Sequence, residues 1–385
     1  MAGMSFEDYV NAYYKGGLDI SARYGIKKDD LTTGDGAYFN TMYGASVFNQ
    51  LNTKSDVFKL FRKEGWTQSG WRVLTARTAA ASNIGVAEGA GFGTSDVPDL
   101  AEVTATIKEI VSPYTVSTRA AILAEADDGV KGLATFLRAQ AAEAHSYYID
   151  THLCADYAAV AVAGSDVNFT PLTRIASNYA QVAARSGTVA AEVDIYDLGA
   201  RGDGATWADG YVNHNSSTNR VLTLDILDAT IQNAIENGAS YDNLILLTGH
   251  TQLTELKQLI TAGTSNATWR MALESQAPKG TNGVSSEPGM NLDGRMGYYD
   301  SIPIYATQHL ATAMTDQSGG TSMGPMLLLD MENLYMKIAA PTTFLAQEDL
   351  ANVQALKRNY AFMTAGELIA TKFNTQGLIT DLKVA

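Results

Sequence analysis

Cysteine is almost absent from this chain of 385 residues, and that scarcity excludes several kinds of site. The single cysteine, Cys154, cannot form an intrachain disulfide or a zinc site built on pairs of cysteines. We expect it to be a buried apolar side chain rather than a nucleophile. The chain also lacks an apolar run long enough to span a bilayer. Its first residues show no basic segment followed by an apolar one, so we expect no secretory signal and synthesis in the cytosol.

Basic residues are scarce relative to acidic ones. The chain has 27 Lys and Arg against 41 Asp and Glu, which gives a formal net charge of −14. Proteins that bind DNA tightly without regard to sequence present a positive surface to it. Such binding is therefore not expected here. The acidic balance is compatible with a protein that encloses nucleic acid without holding it tightly.

Several motifs of catalysis and metal binding are missing. The chain has no HExxH and no SxxK sequence. His145 and His152 are seven residues apart, which is too far for joint ligation of one metal ion. Asp203 and Asp209 lack the spacing of a calcium loop, and the RGD triplet at 201–203 is interpreted as a chance match. We therefore predict no catalytic, cofactor-binding or metal-binding residues.

One glycine-rich stretch, EGAGFGTSD at residues 88–96, resembles a phosphate-binding loop at first sight. Such a loop is followed by a helix, whose N-terminus meets the phosphate. Here the glycines are followed by Pro98 and then by the alternating pattern of a strand. We therefore interpret the glycines as the flexible tip of a long hairpin, where they permit positive φ angles.

The first half of the chain predicts an arm, a hairpin and a long helix. Residues 1–70 are rich in aromatic side chains but contain no evident core. Apolar and polar residues alternate over 71–79 and 102–117, as in the two strands of a hairpin. Apolar residues then recur at helical spacing over 127–160, which predicts one continuous helix about 50 Å long.

The second half predicts alternating helices and strands. Residues 222–239 have the pattern of an amphipathic helix, residues 242–249 that of a short buried strand, and residues 250–260 that of another helix. A buried strand and its return follow at 324–339, and residues 352–370 lead into a C-terminal strand.

Six stretches in this order carry a resemblance to a known family. They are FKLFRKEGWTQSGWRVLTART (58–78), GVAEGAGFGTSDVPDLAEVTATIKEIVSPYTVS (85–117), DDGVKGLATFLRAQAAEAHSYYIDTHL (127–153), LTLDILDATIQNAIENGASYDNLILLTGHTQLTELKQL (222–259), YYDSIPIYAT (298–307) and LLLDMENLYMKIAAPTTFLAQEDLANVQALKRNYAFMTAGELIATKF (327–373). The chain resembles the major capsid proteins of tailed bacterial and archaeal viruses, which have the Hong Kong 97-type fold. The resemblance covers roughly residues 45–385 and rests on the order and spacing of its parts.

The resemblance implies an α+β fold of the Hong Kong 97 type, with an N-terminal arm, an extended hairpin loop, a spine helix, a peripheral domain and an axial α/β domain. The implied parts are the arm at 1–70, the hairpin at 71–120, the peripheral domain with its spine helix at 121–185, the axial domain at 186–335, and the returning peripheral strands with the C-terminus at 336–385.

The resemblance also implies a structural role. The chain would assemble into the pentamers and hexamers of an icosahedral shell that encloses double-stranded DNA without sequence-specific binding. Scaffolding, portal and decorating proteins are the expected partners, and no membrane or cofactor is expected. The protein would be part of the virion capsid and would assemble in the host cytoplasm. One family member forms a Lys–Asn crosslink, but apart from Lys108 on the hairpin no matching residues were identified, so this chemistry is not carried over.

Two groups of residues are expected to form contacts between subunits. The hairpin tip, residues 83–98 with the start of the next strand, would lie over a neighbouring subunit. Its candidate contact residues are Glu88, Gly89, Gly91, Gly93, Asp96 and Asp99. The candidate contact residues of the arm are Arg62, Lys63 and Trp66. The two basic residues would pair with the acidic tip of a neighbour, at about 0–1 kcal/mol for each exposed pair.

Two other functions remain open at this point. An encapsulin, a cellular compartment with the same fold, would enclose enzymes instead of a genome. An α/β enzyme would use residues 221–340 as its catalytic domain, although the missing motifs and the long hairpin argue against it.

Overall fold

The computed structural model describes twelve parts of the chain, which are residues 57–76, 88, 98–117, 133–157, 167–180, 195–198, 201, 206–262, 295–310, 314, 321–345 and 357–384. Backbone contacts divide the chain into two compact units. Unit 1 comprises Met1–Ser55, Ile110–Tyr148 and Ala340–Thr364, and unit 2 comprises Asp56–Glu109, Ile149–Ala339 and Ala365–Ala385.

Helices and strands alternate irregularly along the described residues. The helices are α1 (Leu133–Leu153), α2 (Leu172–Ile175), α3 (Leu224–Glu236) and α4 (His250–Ala262). The strands are β1 (Arg62–Gly65), β2 (Gly70–Ala76), β3 (Asp99–Thr104), β4 (Lys108–Ser117), β5 (Tyr211–Asn213), β6 (Arg220–Val221), β7 (Leu244–Thr248), β8 (Arg295–Tyr299), β9 (Ile302–Ala306), β10 (Met326–Asp330), β11 (Leu334–Leu345), β12 (Lys357–Ala370), β13 (Gly377–Ile379) and β14 (Leu382–Lys383). No helix in these residues is long and apolar enough to cross a membrane.

A six-stranded sheet with the order β5-β13-β10-β7-β9-β8 forms the centre of unit 2. Its two middle strands, β7 and β10, are buried at every position, which explains their uninterrupted apolar sequences. They pair antiparallel, with Leu247 opposite Leu327. Strand β7 also pairs parallel with β9. The main apolar core lies here and includes Leu244, Leu246, Ile304, Met326 and Leu328.

The helix–strand–helix pattern predicted from residue 222 onward is confirmed. Helix α3 begins one residue after Thr223, and Gly238 beyond its end has a φ of 86°, a conformation that favours glycine. Strand β7 and helix α4 follow at the predicted positions. These elements are predictable because each has a long apolar periodicity of its own.

The strand predicted over 102–117 is wrong, because the structure contains two strands there. Strand β3 ends at Thr104 and β4 begins at Lys108. Val103 and Ala105 are buried, whereas Ile107 is exposed and Ile110 is buried. The buried face therefore changes at 105–107. Strand β3 pairs with β2, while β4 joins a different sheet with the order β1-β11-β12-β4.

The continuous helix predicted over 127–160 is also wrong at its C-terminal end. Helix α1 ends at Leu153, and its described part has 21 residues, which is a length of about 31 Å. It is unbroken through Tyr147. Residues 127–132 and 158–160 lie outside the described residues. The helix ends because carbonyls beyond it have partners elsewhere in unit 2: Ala155 O accepts from Thr173 Oγ1 at 2.6 Å, and Tyr157 O accepts from Arg174 at 3.1 Å.

Candidate assembly surface

The outer face of the β2–β3 hairpin is an exposed surface of mixed character. The register places Arg72 opposite Glu102 and Leu74 opposite Leu100. Arg72 Nε lies 3.1 Å from Glu102 Oε1, so the two charges neutralise each other. The two leucines are 48% and 62% exposed, which is unusual for a pair of large apolar side chains directly opposite each other. We call these four residues the outer hairpin face.

The inner face of the hairpin packs within its own chain. Trp71 lies opposite Val103, which is fully buried. The Trp71 ring meets the edge of Tyr196 with 5.1 Å between ring centroids. Tyr196 in turn donates its hydroxyl to Leu368 O at 2.7 Å and accepts from Ala370 N at 2.9 Å. Burial raises the pKa of Tyr196 well above its ordinary value, so it remains a neutral donor.

Polar contacts fix the base of the hairpin. Asp197 accepts hydrogen bonds from Thr104 N at 2.8 Å and from Thr104 Oγ1 at 2.7 Å. Lys337 donates to Gln68 O at 2.9 Å, and its ammonium lies 6.0 Å from the Trp71 ring centroid. These contacts join the base of the hairpin, which carries the outer hairpin face, to residues far along the same chain.

A buried ion pair lies where β4 begins. Lys108 Nζ is 2.6 Å from Glu367 Oε2, and the two side chains are only 9% and 1% exposed. Glu367 Oε1 also accepts from Thr170 N at 2.8 Å and Leu368 N at 2.9 Å. Burial raises the pKa of Glu367, and the Lys108 ammonium opposes that rise. Lys108, the lysine noted on the predicted hairpin, therefore has its ion-pair partner Glu367 within its own chain.

Most of the predicted tip lies outside the described residues. This is the case for Gly89, Gly91, Gly93 and Asp96, whereas Glu88 and Asp99 are described and both are exposed. Asp99 is the first residue of β3. Contact of the tip with a neighbouring subunit stays a prediction.

The three candidate residues of the arm have partners within the chain. Arg62 forms an ion pair with Glu64 at 2.7 Å, and both side chains are largely exposed. Lys63 Nζ lies 4.1 Å from the centroid of the Phe58 ring. Trp66 packs against a small cluster that includes Tyr335. The described end of the arm, residues 57–70, therefore packs on its own chain, and contacts of the remaining arm with other subunits stay a prediction.

Arg201, at the start of the RGD triplet, is a structural residue that the sequence did not reveal. Its side chain is completely buried. The guanidinium donates to four backbone carbonyls, which belong to Arg174, Ile175, Ser177 and Ala208. Nothing in the local sequence indicates this role, because the carbonyls lie up to 27 residues away.

A second feature missed in the sequence is a match to the nucleophile motif GxSxG at 320–324. That motif requires a sharp turn between a strand and a helix, but strand β10 follows here. The hydroxyl of Ser322 accepts a hydrogen bond from Asn219 Nδ2 at 2.6 Å. We therefore assign no nucleophile to Ser322.

The described residues offer little else for chemistry. No group of three or more His, Cys, Asp or Glu side chains among them is arranged to hold a metal ion. Cys154 is buried as expected, and this burial raises the pKa of its thiol well above the ordinary value. A thiol with a raised pKa is a weak nucleophile.

Comparison with known proteins gives matches in structure only. No protein-family model matches the chain, and no curated protein sequence does. A cyanophage A-1(L) capsid structure is similar with a TM-score of 0.57 and 14% identity, covering 88% of this chain and 96% of that one. The capsid of a native GTA particle is similar with a TM-score of 0.52 and 10% identity, covering 88% and 93%. The capsid of an empty GTA particle has a TM-score of 0.51 and 10% identity, covering 87% and 98%.

These matches agree with the mixed α+β architecture, which has several sheets and few helices. The identities are low, so the similarity concerns the fold. The resemblance inferred from the order of the sequence elements is thereby confirmed at the level of the fold. The chain has the fold of these viral and GTA capsid proteins.

Proposed function

We propose that this chain is a major capsid protein that assembles into an icosahedral shell around double-stranded DNA. The observation that carries the proposal is the structural similarity to a phage capsid over 88% of this chain and 96% of the other. The match spans both chains almost completely, so the proposal rests on the whole fold rather than on one domain. The role proposed is structural rather than catalytic.

The finer architecture belongs to the same proposal. In it the fold is of the Hong Kong 97 type, α1 is the spine helix, and residues 186–335 form the axial domain. The β2–β3 hairpin is the extended loop, and its outer face contacts a neighbouring subunit. Two features of that face support this assignment. Its leucines are exposed, and its Arg72 and Glu102 charges neutralise each other. A second copy of this acidic chain would therefore not be repelled by the outer hairpin face.

The expected partners follow from this role. Copies of the chain form the pentamers and hexamers of the shell, and scaffolding, portal and decorating proteins join them. The net charge of −14 suits a container from which DNA can leave, since a basic lining would hold it. Assembly takes place in the host cytoplasm, and the protein becomes part of the virion capsid.

Expression of the full chain followed by negative-stain microscopy tests the proposal. We expect closed shells of uniform size, together with a fast-sedimenting species. If the chain is instead an α/β enzyme, size-exclusion chromatography shows a small oligomer. This result holds even when the chain has been co-expressed with a scaffolding protein from the same genome. Cryo-microscopy of shells then separates a capsid from an encapsulin, because the first encloses DNA and the second encloses enzyme molecules.

A further inference from the structure

Asparagine is followed by glycine at two places in the chain, Asn237-Gly238 and Asn282-Gly283. This pair deamidates more readily than other asparagine pairs, because glycine has no side chain to hinder its own backbone nitrogen. The first pair lies at the end of α3, whereas the second lies outside the described residues. Asn237 is half-buried and Gly238 is exposed, so exclusion of water does not protect the first pair.

Deamidation requires a particular backbone conformation. The backbone nitrogen of Gly238 attacks Cγ of Asn237, the bond from Cγ to Nδ2 breaks, and ammonia leaves with the proton of the Gly238 N–H. Water then opens the cyclic imide at either carbonyl, which gives aspartate or isoaspartate. The reaction needs no other reactant. The ring closes only when rotation about the Cα–C bond of Asn237 brings the Gly238 nitrogen beside Cβ.

The folded end of α3 holds a different conformation. Asn237 has a ψ of 5°, which turns the Gly238 nitrogen towards the Asn237 nitrogen and away from Cβ. The Gly238 N–H donates to Ile235 O at 2.8 Å. The Ala239 N–H donates to Ala234 O at 3.0 Å. These two bonds, with the φ of 86° at Gly238, form a Schellman motif that ends the helix.

The side chain and the carbonyl of Asn237 are also bound. Its Nδ2 donates to Asn233 O at 2.9 Å and to Asn233 Oδ1 at 3.2 Å, and its Oδ1 accepts from Asn374 Nδ2 at 3.3 Å. The backbone oxygen of Asn237 accepts from Lys372 Nζ. Lys372 and Asn374 follow β12 and are 135 and 137 residues away in sequence. The tertiary fold therefore holds both the amide that would leave and the peptide that would attack.

We propose that Asn237 is a deamidation site that is silent in the folded chain and reacts when the end of α3 opens, and that Lys372 helps to keep it closed. Opening breaks the Schellman motif, after which ψ of Asn237 can rotate. Helix ends open locally more often than a whole domain unfolds. The proposal concerns unit 2 of a single chain and does not depend on the proposed capsid function.

Deamidation would prevent the end of α3 from closing again. It replaces the amide of Asn237 by a carboxylate, which has no N–H to donate to Asn233 O. Isoaspartate in addition adds one carbon atom to the backbone, which displaces Gly238 from its place in the Schellman motif. The modified chain would therefore keep an open helix end, and such chains would accumulate as the protein ages.

Ageing of the full wild-type chain tests the proposal. One sample is kept folded in mildly alkaline buffer and the other is unfolded in guanidinium chloride, and both are mapped by mass spectrometry after tryptic digestion. Trypsin places Asn237 in the peptide 221–257 and Asn282 in the peptide 280–295. In the unfolded chain both asparagines should convert at similar rates, so Asn282 is the internal standard there. In the folded chain Asn237 should convert at least about tenfold more slowly than in the unfolded chain.

A substitution outside the reacting pair tests the role of Lys372. Lys372→Met removes the ammonium that binds Asn237 O and leaves Asn237-Gly238 unchanged. It should raise the conversion rate of Asn237 several-fold in the folded chain and leave the rate in guanidinium chloride unchanged. Lys59→Met, at an exposed position of the same unit, is the matched control and should change neither rate.

Three results would overturn the proposal. Equal conversion rates of Asn237 in the folded and the unfolded wild type would show that the fold does not suppress the reaction. Conversion of Asn282 without conversion of Asn237 in guanidinium chloride would show that Asn237 is not a deamidation site. An unchanged or lower rate in folded Lys372→Met would refute the part assigned to Lys372. If that variant does not fold, the comparison of the two wild-type samples decides alone.

Discussion

Two kinds of partner surround the buried carboxyl group of Glu367 and oppose the rise of its pKa that burial causes. The Lys108 ammonium supplies the opposite charge, and two backbone N–H groups donate to the other oxygen. Lys108 also donates to Thr170 Oγ1 at 3.1 Å. A buried ion pair of this kind gains little overall, but removing one partner leaves an uncompensated charge.

Replacing Lys108 by methionine should therefore lower the free energy of unfolding by about 3–5 kcal/mol at pH 7.5. Urea unfolding followed by circular dichroism measures this change. Lys59→Met, at an exposed position, is the matched control and should stay within about 0.5 kcal/mol of the wild type.

The same variant should respond to pH in a defined direction. A carboxyl group whose pKa is raised in the folded state stabilises the fold at low pH and loses that contribution as the pH rises. Without Lys108 the pKa of Glu367 rises further, because the opposing charge is gone. The deficit of Lys108→Met should thus shrink as the pH falls from about 7.5 to about 5. A deficit that does not depend on pH contradicts this account.

At the scale of elements, tertiary contacts decide where α1 ends. Its sequence continues with small apolar residues that would permit a longer helix. The hydroxyl of Thr173 and the guanidinium of Arg174 instead bind the carbonyls of Ala155 and Tyr157. Both donors belong to α2. We infer that this short helix terminates α1.

Thr173→Val keeps the shape of this side chain and removes its hydroxyl. The Ala155 carbonyl then loses a buried donor, which should lower the free energy of unfolding by about 1–3 kcal/mol. Ser146→Ala is the control, because Ser146 only bonds back to Ala142 O in its own helix. Its effect should be below about 0.5 kcal/mol. Equal effects of the two substitutions in thermal or urea unfolding would contradict the stabilising role of the hydrogen bond from Thr173 to Ala155 O.

At the scale of the whole molecule, the outer hairpin face should govern assembly. The double substitution Leu74→Ser and Leu100→Ser removes its two large apolar side chains but leaves the buried inner face untouched. Because both leucines are exposed in the single chain, we expect folding to be unchanged within about 1 kcal/mol and particle yield to fall strongly. Sedimentation measures the yield.

A second substitution of an exposed apolar residue by serine, at another position, separates the role of the outer hairpin face from the general effect of making the surface more polar. Val167→Ser exchanges another exposed apolar side chain, away from the hairpin strands. It should leave the particle yield unchanged. Normal particle yield from the double leucine variant would refute the role of the outer hairpin face.

The hairpin tip is tested by restricting its backbone. Substitution of Gly89, Gly91 and Gly93 by valine removes access to positive φ angles. We expect particles to be lost, and calorimetry to detect no nucleotide binding by the wild type or by the variant. Tight nucleotide binding by the wild type, together with normal assembly of the variant, would restore the interpretation as a phosphate loop.

Elements with a strong periodicity of their own could be predicted from the amino-acid sequence alone. The buried strand β7 and the helices on either side of it were predictable, because apolar spacing along the chain reflects the face that each element buries. The order of these elements was enough to indicate a capsid fold.

The ends of the elements and the roles of the buried polar groups depend instead on tertiary contacts. The break at 105–107 occurs because the chain moves from one sheet to another, and α1 ends where α2 supplies donors. The partners of Arg201 and the hydroxyl groups around His145 are distant in sequence; Thr364 is 219 residues from His145. Periodicity records local burial, whereas a buried hydrogen bond depends on which distant atom arrives beside it, and no local pattern encodes that.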